Sequence, residues 1–430
     1  MKKIVENRLY VYIELEKQLN LVGVINFHED NYLDNKISAT FEYNDDYLNN
    51  SLSFALDPIN LPLSKKKFYT ESKLNKLGVL FDAAPDSWGR KIIEIENNKN
   101  VSEYDILVKG RGNNVGAISF STQLLTAPQT QRNFHINEIE KFDDISSIIN
   151  YINNVIDKKQ YDERFLESSW DIGGARPKVV VQVQEQQYIV KFQQDKDMYD
   201  KQKVEHSCLL MANDIGLNVS KSSVVSIENS DDALFIKRFD RVGSGKIHYI
   251  SAVSLVSPPS DFEKRDLDSN RGKVIFSYAK VADIIRKISS NPIRDLLELY
   301  TRMVFNVAIH NTDDHLKNTG FIKDEKGYRL APLFDVSPQY PQYHMIHIGQ
   351  LGRIGNYENL ISDYKYFGIK NISIAEAIIE KVKSVVEKRQ DYYDIVGLSK
   401  KDREHIEEKI NFPSLEKPNH VVTNNRKRRV

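Results

Sequence analysis

Two short apolar runs separated by a polar turn, and then an amphipathic helical pattern, limit the folds open to this chain. Val179–Val183 and Gln187–Phe192 flank Gln184-Glu185-Gln186, which predicts a β-hairpin. The apolar residues that follow recur at helical spacing: Val204, Cys208, Met211 and Ile215. Gly216 stands where a helix C-cap is expected. A hairpin followed by one helix is therefore expected in the middle of the chain.

Strands are predicted before this block and helices after it. The first part of the chain contains short runs of β-forming residues: Leu9–Ile13, Val22–Phe27 and Ala39–Tyr43. A helix is predicted to open at Phe81 and to run through Ile93, and residues 127 to 163 have a polar, helical pattern. Beyond about residue 250 the pattern is mainly helical, as at Val281–Ile288 and Ile293–Ile309. These patterns predict an α+β fold with more than one domain.

Composition excludes several classes of protein. The formal net charge is zero, so no global field draws the chain toward nucleic acid or a membrane surface. One cysteine, Cys208, excludes an intrachain disulfide and fits a reducing cytoplasm. No signal peptide is expected at the N-terminus, and no apolar run is long enough to predict a transmembrane helix.

Acidic, imidazole and amide side chains crowd into residues 311–318, Asn-Thr-Asp-Asp-His-Leu-Lys-Asn, after a mostly apolar stretch. A phosphoryl-transfer enzyme needs a carboxylate to orient a hydroxyl, with an amide oxygen and a second carboxylate to hold Mg²⁺. Asp313 suits the first role, and Asn318 and Asp335 suit the metal. His315 and Lys317 are placed to support the loop or contact phosphate.

Three other interpretations of this cluster stay open at this point. Asp313 or Asp314 could cap a helix, or the group could form a buried polar network. The Asp-Asp-His run could also ligate a hydrolytic metal, with His344 and His347 as the nearest further ligands. That histidine pair is left without an assigned role.

A nucleotide site would need partners elsewhere. Residues 173–178, Gly-Gly-Ala-Arg-Pro-Lys, enter the hairpin as a small-residue turn that suits either a structural turn or a phosphate cradle. Lys191 lies in an apolar strand, and Glu205 lies on the following helix. In kinases such a lysine contacts phosphates and pairs with such a glutamate. Residues 237–239 stand where strands give way to helices, as a kinase hinge does.

At these residues the chain resembles the HipA-like serine/threonine kinases, which are toxins of bacterial toxin–antitoxin systems. The motifs occur in the family's order along most of the chain: Pro85–Arg90, Val115–Ala117, Gly173–Lys178, Ile189–Phe192, Arg238–Arg241, Asn311–Asn318 and Leu330–Asp335. The resemblance implies a two-lobed kinase-like fold with an added N-terminal subdomain. It divides the chain into an N-terminal subdomain (1–126), a helical connector (127–163), a nucleotide-binding lobe (164–236) and a helical catalytic lobe (237–430).

The resemblance also implies the site, the cofactors and the partners. Asp313 would be the catalytic base, and Mg²⁺ would bind Asn318 and Asp335. The residues implied to contact ATP are Gly173, Gly174, Ala175, Arg176, Lys178, Lys191, Lys237, Phe239, His315, Lys317, Asn318 and Asp335. The implied partner is a small helix-turn-helix antitoxin, through which alone the chain would contact DNA. The implied target is a cytoplasmic protein, with glutamyl-tRNA synthetase as the family's best-known example, and its phosphorylation would arrest growth.

One position departs from the family's pattern. Family members can be silenced by autophosphorylation of a serine just before the nucleotide loop, and Asp171 stands there in this chain. Either Ser168 or Ser169 substitutes as the acceptor, or Asp171 supplies a fixed negative charge.

Two other functions compete with a protein kinase. The chain could be a nucleotide-binding pseudokinase that acts as a co-repressor with a DNA-binding antitoxin. It could also be a lipid or small-molecule kinase, because an Asp-x-His-x-x-Asn loop serves those substrates too.

Overall fold

A computed structural model describes these residues of the chain: 7–15, 18–28, 38–69, 77–85, 89–90, 93–94, 101–109, 114–124, 137–138, 178–183, 185–194, 197–226, 232–243, 245–256, 276–413 and 415–418. The strands within them are β1 Asn7–Leu15, β2 Gln18–His28, β3 Ser38–Tyr43, β4 Phe68–Tyr69, β5 Ile118–Ser121, β6 Asn137–Glu138, β7 Lys178–Val183, β8 Gln186–Phe192, β9 Ser222–Val225, β10 Ala233–Lys237, β11 Arg241–Val242, β12 Gly245–Lys246, β13 Tyr249–Ser251, β14 Gly320–Lys323 and β15 Tyr328–Leu330.

The helices within the same residues are α1 Asp45–Asn49, α2 Gly78–Asp82, α3 Glu103–Lys109, α4 Lys201–Ile215, α5 Ala252–Val256, α6 Tyr278–Ile288, α7 Pro292–Ala308, α8 Tyr357–Ser362, α9 Ile372–Val386, α10 Arg389–Ile395 and α11 Lys400–Lys409. Short 3₁₀ turns span Leu316–Asn318 and Tyr364–Phe367. In these segments no helix combines the length and the apolar character that crossing a membrane requires.

The N-terminal strands form an antiparallel sheet in the order β4-β3-β2-β1-β5, which confirms the strands predicted in this region. The close approach of β3 to β2 requires glycine at Gly23. A Cβ atom at this position would lie 2.2 Å from the carbonyl oxygen of Glu42. The buried face of the sheet belongs to a hydrophobic core that continues into the C-terminal helices, where Tyr300 and Phe305 are fully buried.

The prediction that a helix opens at Phe81 and continues from there is wrong for its first turns. The observed helix, α2, starts earlier, at Gly78, and ends at Asp82. Pro85 explains the end, because a proline disfavours helical backbone at the residue before it. Gly89, Arg90, Ile93 and Glu94 are again helical, and the residues between them lie outside the described segments.

The second sheet has the order β6-β7-β8-β10-β9, and its central pair is the predicted hairpin. Antiparallel pairing places Lys178 of β7 directly opposite Lys191 of β8. Val179, Val181, Val190 and Phe235 form a small apolar core on this sheet. The hairpin therefore brings two lysines to neighbouring positions on the strands.

The prediction of a helical connector over residues 127–163 is wrong at the two residues of this segment that the structure describes. Asn137–Glu138 form a strand that pairs in parallel with β7 at Val181 and Gln182. Pairing with an available sheet edge overrides a local helical pattern. The rest of this segment lies outside the described residues, and the proposed domain bounds stay a prediction.

Helix α4 follows the sheet with the predicted ends. Asp200 caps its N-terminus by accepting a hydrogen bond of 2.9 Å from Lys203 N, and Gly216 ends it with a φ of 94°. This left-handed conformation favours glycine over other residues. Helix α4 also packs on the C-terminal helices through a buried apolar cluster: Tyr199, Val204, Tyr393, Leu398, Ile406 and Ile410. The C-terminal helices thus support α4.

A buried ionic cluster joins the N-terminal region to the rest of the chain. Arg238 and Arg241 both donate to the carboxylate of Asp240, at 2.8 and 2.7 Å. Both guanidinium groups also donate to the carbonyl oxygen of Asn114, at 2.9 and 2.8 Å, and Gly116 N donates to Asp240 at 2.8 Å. Burial alone would raise the pKa of Asp240, but the two arginines hold it well below its usual value.

Candidate active site

Lys191 is the centre of an ion-paired triad. Its Nζ lies 2.7 and 2.8 Å from the two carboxylate oxygens of Glu205 and 2.8 Å from Asp335 Oδ1. The predicted pairing of Lys191 with Glu205 is therefore present. Burial alone would lower the pKa of Lys191, but the carboxylates of Asp335 and Glu205 raise it above its usual value. The amine stays charged and joins β8 and α4 to the segment that carries Asp335.

Asp335 carries a charge that its neighbours stabilise. Lys191 lowers the pKa of this carboxyl to about 2, and Lys178 acts in the same direction. Its side chain is 47% exposed, so it faces solvent as well as the lysine. Its φ of 57° is uncommon for a residue other than glycine. Strained backbone of this kind concentrates at functional sites.

The segment before Asp335 is fixed by backbone and ring contacts. Leu333 N donates to Asn218 O at 2.7 Å, and Ser220 N donates to Leu333 O at 3.0 Å. The ring of Phe334 stacks on Phe239, with centroids 5.7 Å apart. The predicted hinge residue Phe239 therefore contacts the residue that precedes Asp335.

Asp313 lies on the loop that follows α7, and its side chain is 56% exposed. Burial of part of the carboxyl raises its pKa, His315 opposes this, and Asp335 and Asp314 raise it further. Asn318 Nδ2 donates to the carbonyl oxygen of Asp313 at 3.1 Å. This bond uses the amide nitrogen of Asn318 and leaves the amide oxygen for another partner. Asp313 is thus an accessible base candidate on a loop that Asn318 closes.

Asp314, in contrast, is buried in a polar network. Its carboxylate accepts hydrogen bonds from Tyr278 Oη at 2.9 Å and from Met345 N at 3.0 Å, and His344 Nδ1 lies 2.9 Å away. Asn306 donates to Tyr278 Oη at 2.8 Å, which extends the network into α7. One of the interpretations left open for the sequence, a buried polar network, therefore applies to Asp314, while Asp313 faces solvent.

His344 and Tyr278 are site residues that the sequence pattern did not assign. They lie 30 and 36 positions from Asp314 along the chain, so only the fold brings them to it. A histidine in an otherwise uncharged stretch was the available signal for His344. His347 lies elsewhere: its backbone N–H donates to Phe276 O, and its carbonyl oxygen accepts a hydrogen bond from Tyr278 N.

The remaining predicted site residues divide into two groups. Lys237 is half-buried at the end of β10, His315 Nε2 lies 3.9 Å from Asp313 Oδ1, and Lys317 is exposed. The other group lies outside the described residues: Ser168, Ser169, Asp171, Gly173, Gly174, Ala175 and Arg176. No group of three or more histidine, cysteine, aspartate or glutamate side chains suited to hold a metal occurs in the described part of the chain.

We expect His344 to act as a positioning residue for the loop. His344→Phe removes a donor to the buried Asp314, which costs about 1–3 kcal/mol; a loss of this size in the transition state is a roughly 5- to 150-fold lower kcat. His344→Asn places an amide N–H near the position of Nδ1 and should recover most of the rate. For the ATP-dependent transfer that the sequence predicts, steady-state kinetics should show the loss in kcat with KM for ATP unchanged. The control is His206→Phe, which changes a half-buried histidine whose Nδ1 lies 2.9 Å from Ser222 Oγ. Equal rates for all variants would contradict the role given to His344.

Known proteins resemble this chain in sequence and in fold. Residues 170–389 match the HipA-like C-terminal domain family. Two similar proteins carry the name putative kinase. Y4mE of Sinorhizobium fredii is 27% identical over 124 residues, which is 28% of this chain and 29% of that protein. A protein of Haemophilus influenzae is 26% identical over 143 residues, which is 31% of this chain and 41% of that protein. The chain spans less than half of either relative's length.

The fold also has a solved counterpart. A chain of the Shewanella oneidensis MR-1 toxin–antitoxin complex of HipA, HipB and operator DNA matches with a TM-score of 0.66 and 16% identity. The match covers 93% of this chain and 94% of that chain. At this identity the likeness shows the fold, which confirms the predicted α+β class. Because the family match spans half of the sequence, from before β7 to the start of α10, the chain belongs to the HipA-like C-terminal domain family.

Proposed function

We propose that this chain is an ATP- and Mg²⁺-dependent serine/threonine protein kinase. The observation that carries the proposal is the triad in which Lys191 bonds both Glu205 and Asp335. A strand lysine that pairs with a helix glutamate beside a metal-binding aspartate is the arrangement that kinases use to hold nucleotide phosphates. Asp313 and Asn318 lie on the neighbouring loop, with the spacing of a kinase catalytic loop.

The residues of the loop have different roles in the proposed phosphoryl transfer. Asp313 orients the acceptor hydroxyl and takes its proton as the hydroxyl oxygen bonds to the γ-phosphorus and the bond to ADP breaks. His315 and Lys317 support the loop or contact phosphate. Asp314 does not react, because Tyr278, His344 and Met345 N occupy its oxygens. It holds the loop in place so that Asp313 faces the cleft.

The residues present fit Mg²⁺. Asp335 is an ionised, half-exposed carboxylate, and the hydrogen bond from Asn318 Nδ2 leaves that residue's amide oxygen available. Carboxylate and amide oxygens are the ligands that Mg²⁺ takes alongside substrate phosphates. When bound there, the ion neutralises charge on the transferred phosphoryl group.

We assign the nucleotide to the cleft between the hairpin and this loop. Lys178 and Lys191 lie opposite each other on β7 and β8 and supply positive charge for phosphates. The small-residue turn at 173–176 is proposed as the phosphate cradle, and residues 237–239 as the hinge beside the adenine. The proposed partner is a small DNA-binding antitoxin, because the solved chain with the same fold comes from a toxin–antitoxin complex of HipA, HipB and operator DNA. The proposed target is a cytoplasmic protein, of which an aminoacyl-tRNA synthetase is one example.

Labelled ATP tests this function and its competitors. The purified chain is incubated with γ-labelled ATP, Mg²⁺ and a cell lysate, and protein, lipid and small-molecule fractions are separated. We expect label on serine or threonine of protein, and its loss when EDTA removes Mg²⁺. Label in the lipid or small-molecule fraction would contradict the proposed substrate class. Background label in every fraction, with ATP binding retained, would favour a nucleotide-binding pseudokinase.

A further inference from the structure

The segment that follows Asp335 is nearly free of charge. The 22 residues from 336 to 357 contain a single Asp, Glu, Lys or Arg, which is Arg353. At the chain's overall charged share of 28%, about six would be expected. All of these residues are described in the structure, and many of them are exposed. A solvated surface loop is normally charged, so this composition requires another explanation.

Five of the exposed side chains of this segment are large and apolar. They form a set, called the apolar patch here, with exposed fractions of 44–52%: Tyr340, Tyr343, Met345, Leu351 and Ile354. Between them His344, Ile346 and Ile348 are buried, so inward and outward positions alternate. A segment with this alternation normally places polar residues on the outer side. Exposed apolar residues concentrated in one segment are a sign of an interaction surface.

The apolar patch lies beside the catalytic loop. Met345 N donates to Asp314 Oδ1 and to Thr312 O, both at 3.0 Å. The second half of the segment lies next to the first half. His344 N donates to Arg353 O at 3.0 Å, and Ile348 N donates to Gly352 O at 2.9 Å. The backbone N–H of Met345 therefore ties this segment to Thr312 and Asp314, the two residues that flank Asp313 in sequence.

We propose that the apolar patch binds the acceptor segment of the protein substrate, and that this segment is uncharged, with large apolar residues flanking the phosphorylated serine or threonine. This inference rests on the proposed kinase function and adds its substrate class. The acceptor hydroxyl must reach Asp313, so the residues around it necessarily pass over surface next to the loop. The patch offers an acceptor segment apolar contacts and one cation. An anionic membrane would need several Lys or Arg residues here, and Arg353 is the only one in the segment.

Peptide selectivity tests the inference directly. Wild-type chain and γ-labelled ATP are applied to a degenerate peptide library with a fixed central serine or threonine. We expect selection of Leu, Ile, Met, Phe or Tyr beside the acceptor and exclusion of Asp, Glu, Lys and Arg. The double variant Tyr343→Ser/Met345→Ser should lose this selection and lower kcat/KM for the selected peptide by about tenfold, with KM for ATP unchanged. The control Ile293→Ser/Ile395→Ser, which removes apolar residues 83% and 70% exposed elsewhere, should match wild type.

The outcomes separate this inference from the kinase function. Selection of charged residues, or unchanged selectivity in the patch variant, would overturn the inference and leave the kinase function intact. If the chain labels folded lysate proteins but no peptide, wild type and the patch variant are compared on those proteins instead. Equal labelling by the two would overturn the inference. A patch variant that alters the oligomeric state in light scattering but not labelling would assign the patch to self-association instead. A wild-type chain that labels neither peptide nor protein would contradict the kinase function, and the inference with it.

Discussion

Asp313→Asn is expected to lower the rate of phosphoryl transfer by about 10²–10⁴-fold, the usual contribution of a general base. The substituted amide cannot accept the hydroxyl proton. The backbone carbonyl that Asn318 bonds stays in place, so the loop should keep its shape. ATP affinity, measured by titration calorimetry, should not change, because Lys191 and Asp335 are untouched. Asp45→Asn, an exposed aspartate in α1, is the control and should behave as wild type.

The pH dependence of the same rate is a second test of the role proposed for Asp313. In the proposed mechanism the carboxylate form is the active one, and the pKa of this carboxyl is raised by partial burial and by the neighbouring Asp335 and Asp314. As the pH is lowered, kcat should therefore fall at a higher pH than the usual aspartate value of about 3.9 would give. The Asp313→Asn variant should lack this limb of the profile. A variant with wild-type rate, or one that has lost ATP binding, would contradict the role given to Asp313.

Asp240→Asn is expected to destabilise the folded chain by about 3–5 kcal/mol, the cost of leaving buried charges without their partner. Arg238 and Arg241 both depend on this carboxylate, and their side chains are almost fully buried. The neutral amide removes the charge while the guanidinium groups stay on the carbonyl oxygen of Asn114. Urea unfolding should show a lower midpoint, whereas Asp45→Asn, with its exposed ion pair to Lys65, should leave the midpoint unchanged.

The same variant should change the response to acid. The folded pKa of Asp240 lies below its unfolded value, so its contribution to stability is fully present above about pH 3.9 and is lost as the pH falls through the folded pKa. In the variant this part of the acid response should be absent. Because the cluster contacts Asn114 and Gly116, limited proteolysis should also cut the N-terminal region faster in the variant. An unchanged urea midpoint would show that the cluster does not hold the two regions together.

Local signals predicted the elements around the site well. The hairpin and α4 follow from residue periodicity, and the end of α4 at Gly216 follows from its left-handed conformation. The pairing of Glu205 with Lys191 was predicted from the kinase pattern of a strand lysine and a helix glutamate, and the position of Glu205 beside Val204 on the apolar stripe of α4 supported it. In these cases the interacting residues lie within one hairpin and the helix that follows it.

Contacts between distant segments could not be predicted in this way. The bonds of Arg238 and Arg241 to Asn114 span more than 100 residues, and no periodicity reports them. The bond from Lys191 to Asp335 spans 144 residues. The roles of Tyr278 and His344 depend on where the fold places Asp314. The strand at Asn137–Glu138 likewise forms because β7 offers an edge, not because its own sequence favours a strand.

The central claim, transfer of phosphate to protein hydroxyls through Asp313, is tested most directly by comparing phosphorylation sites in cells. Cultures that express the wild-type chain or Asp313→Asn at equal levels are analysed by quantitative mass spectrometry. The account predicts serine or threonine sites that are phosphorylated with the wild type and return to the level of an empty-vector culture with the variant. Identical sets of phosphorylated residues in the two cultures would contradict it.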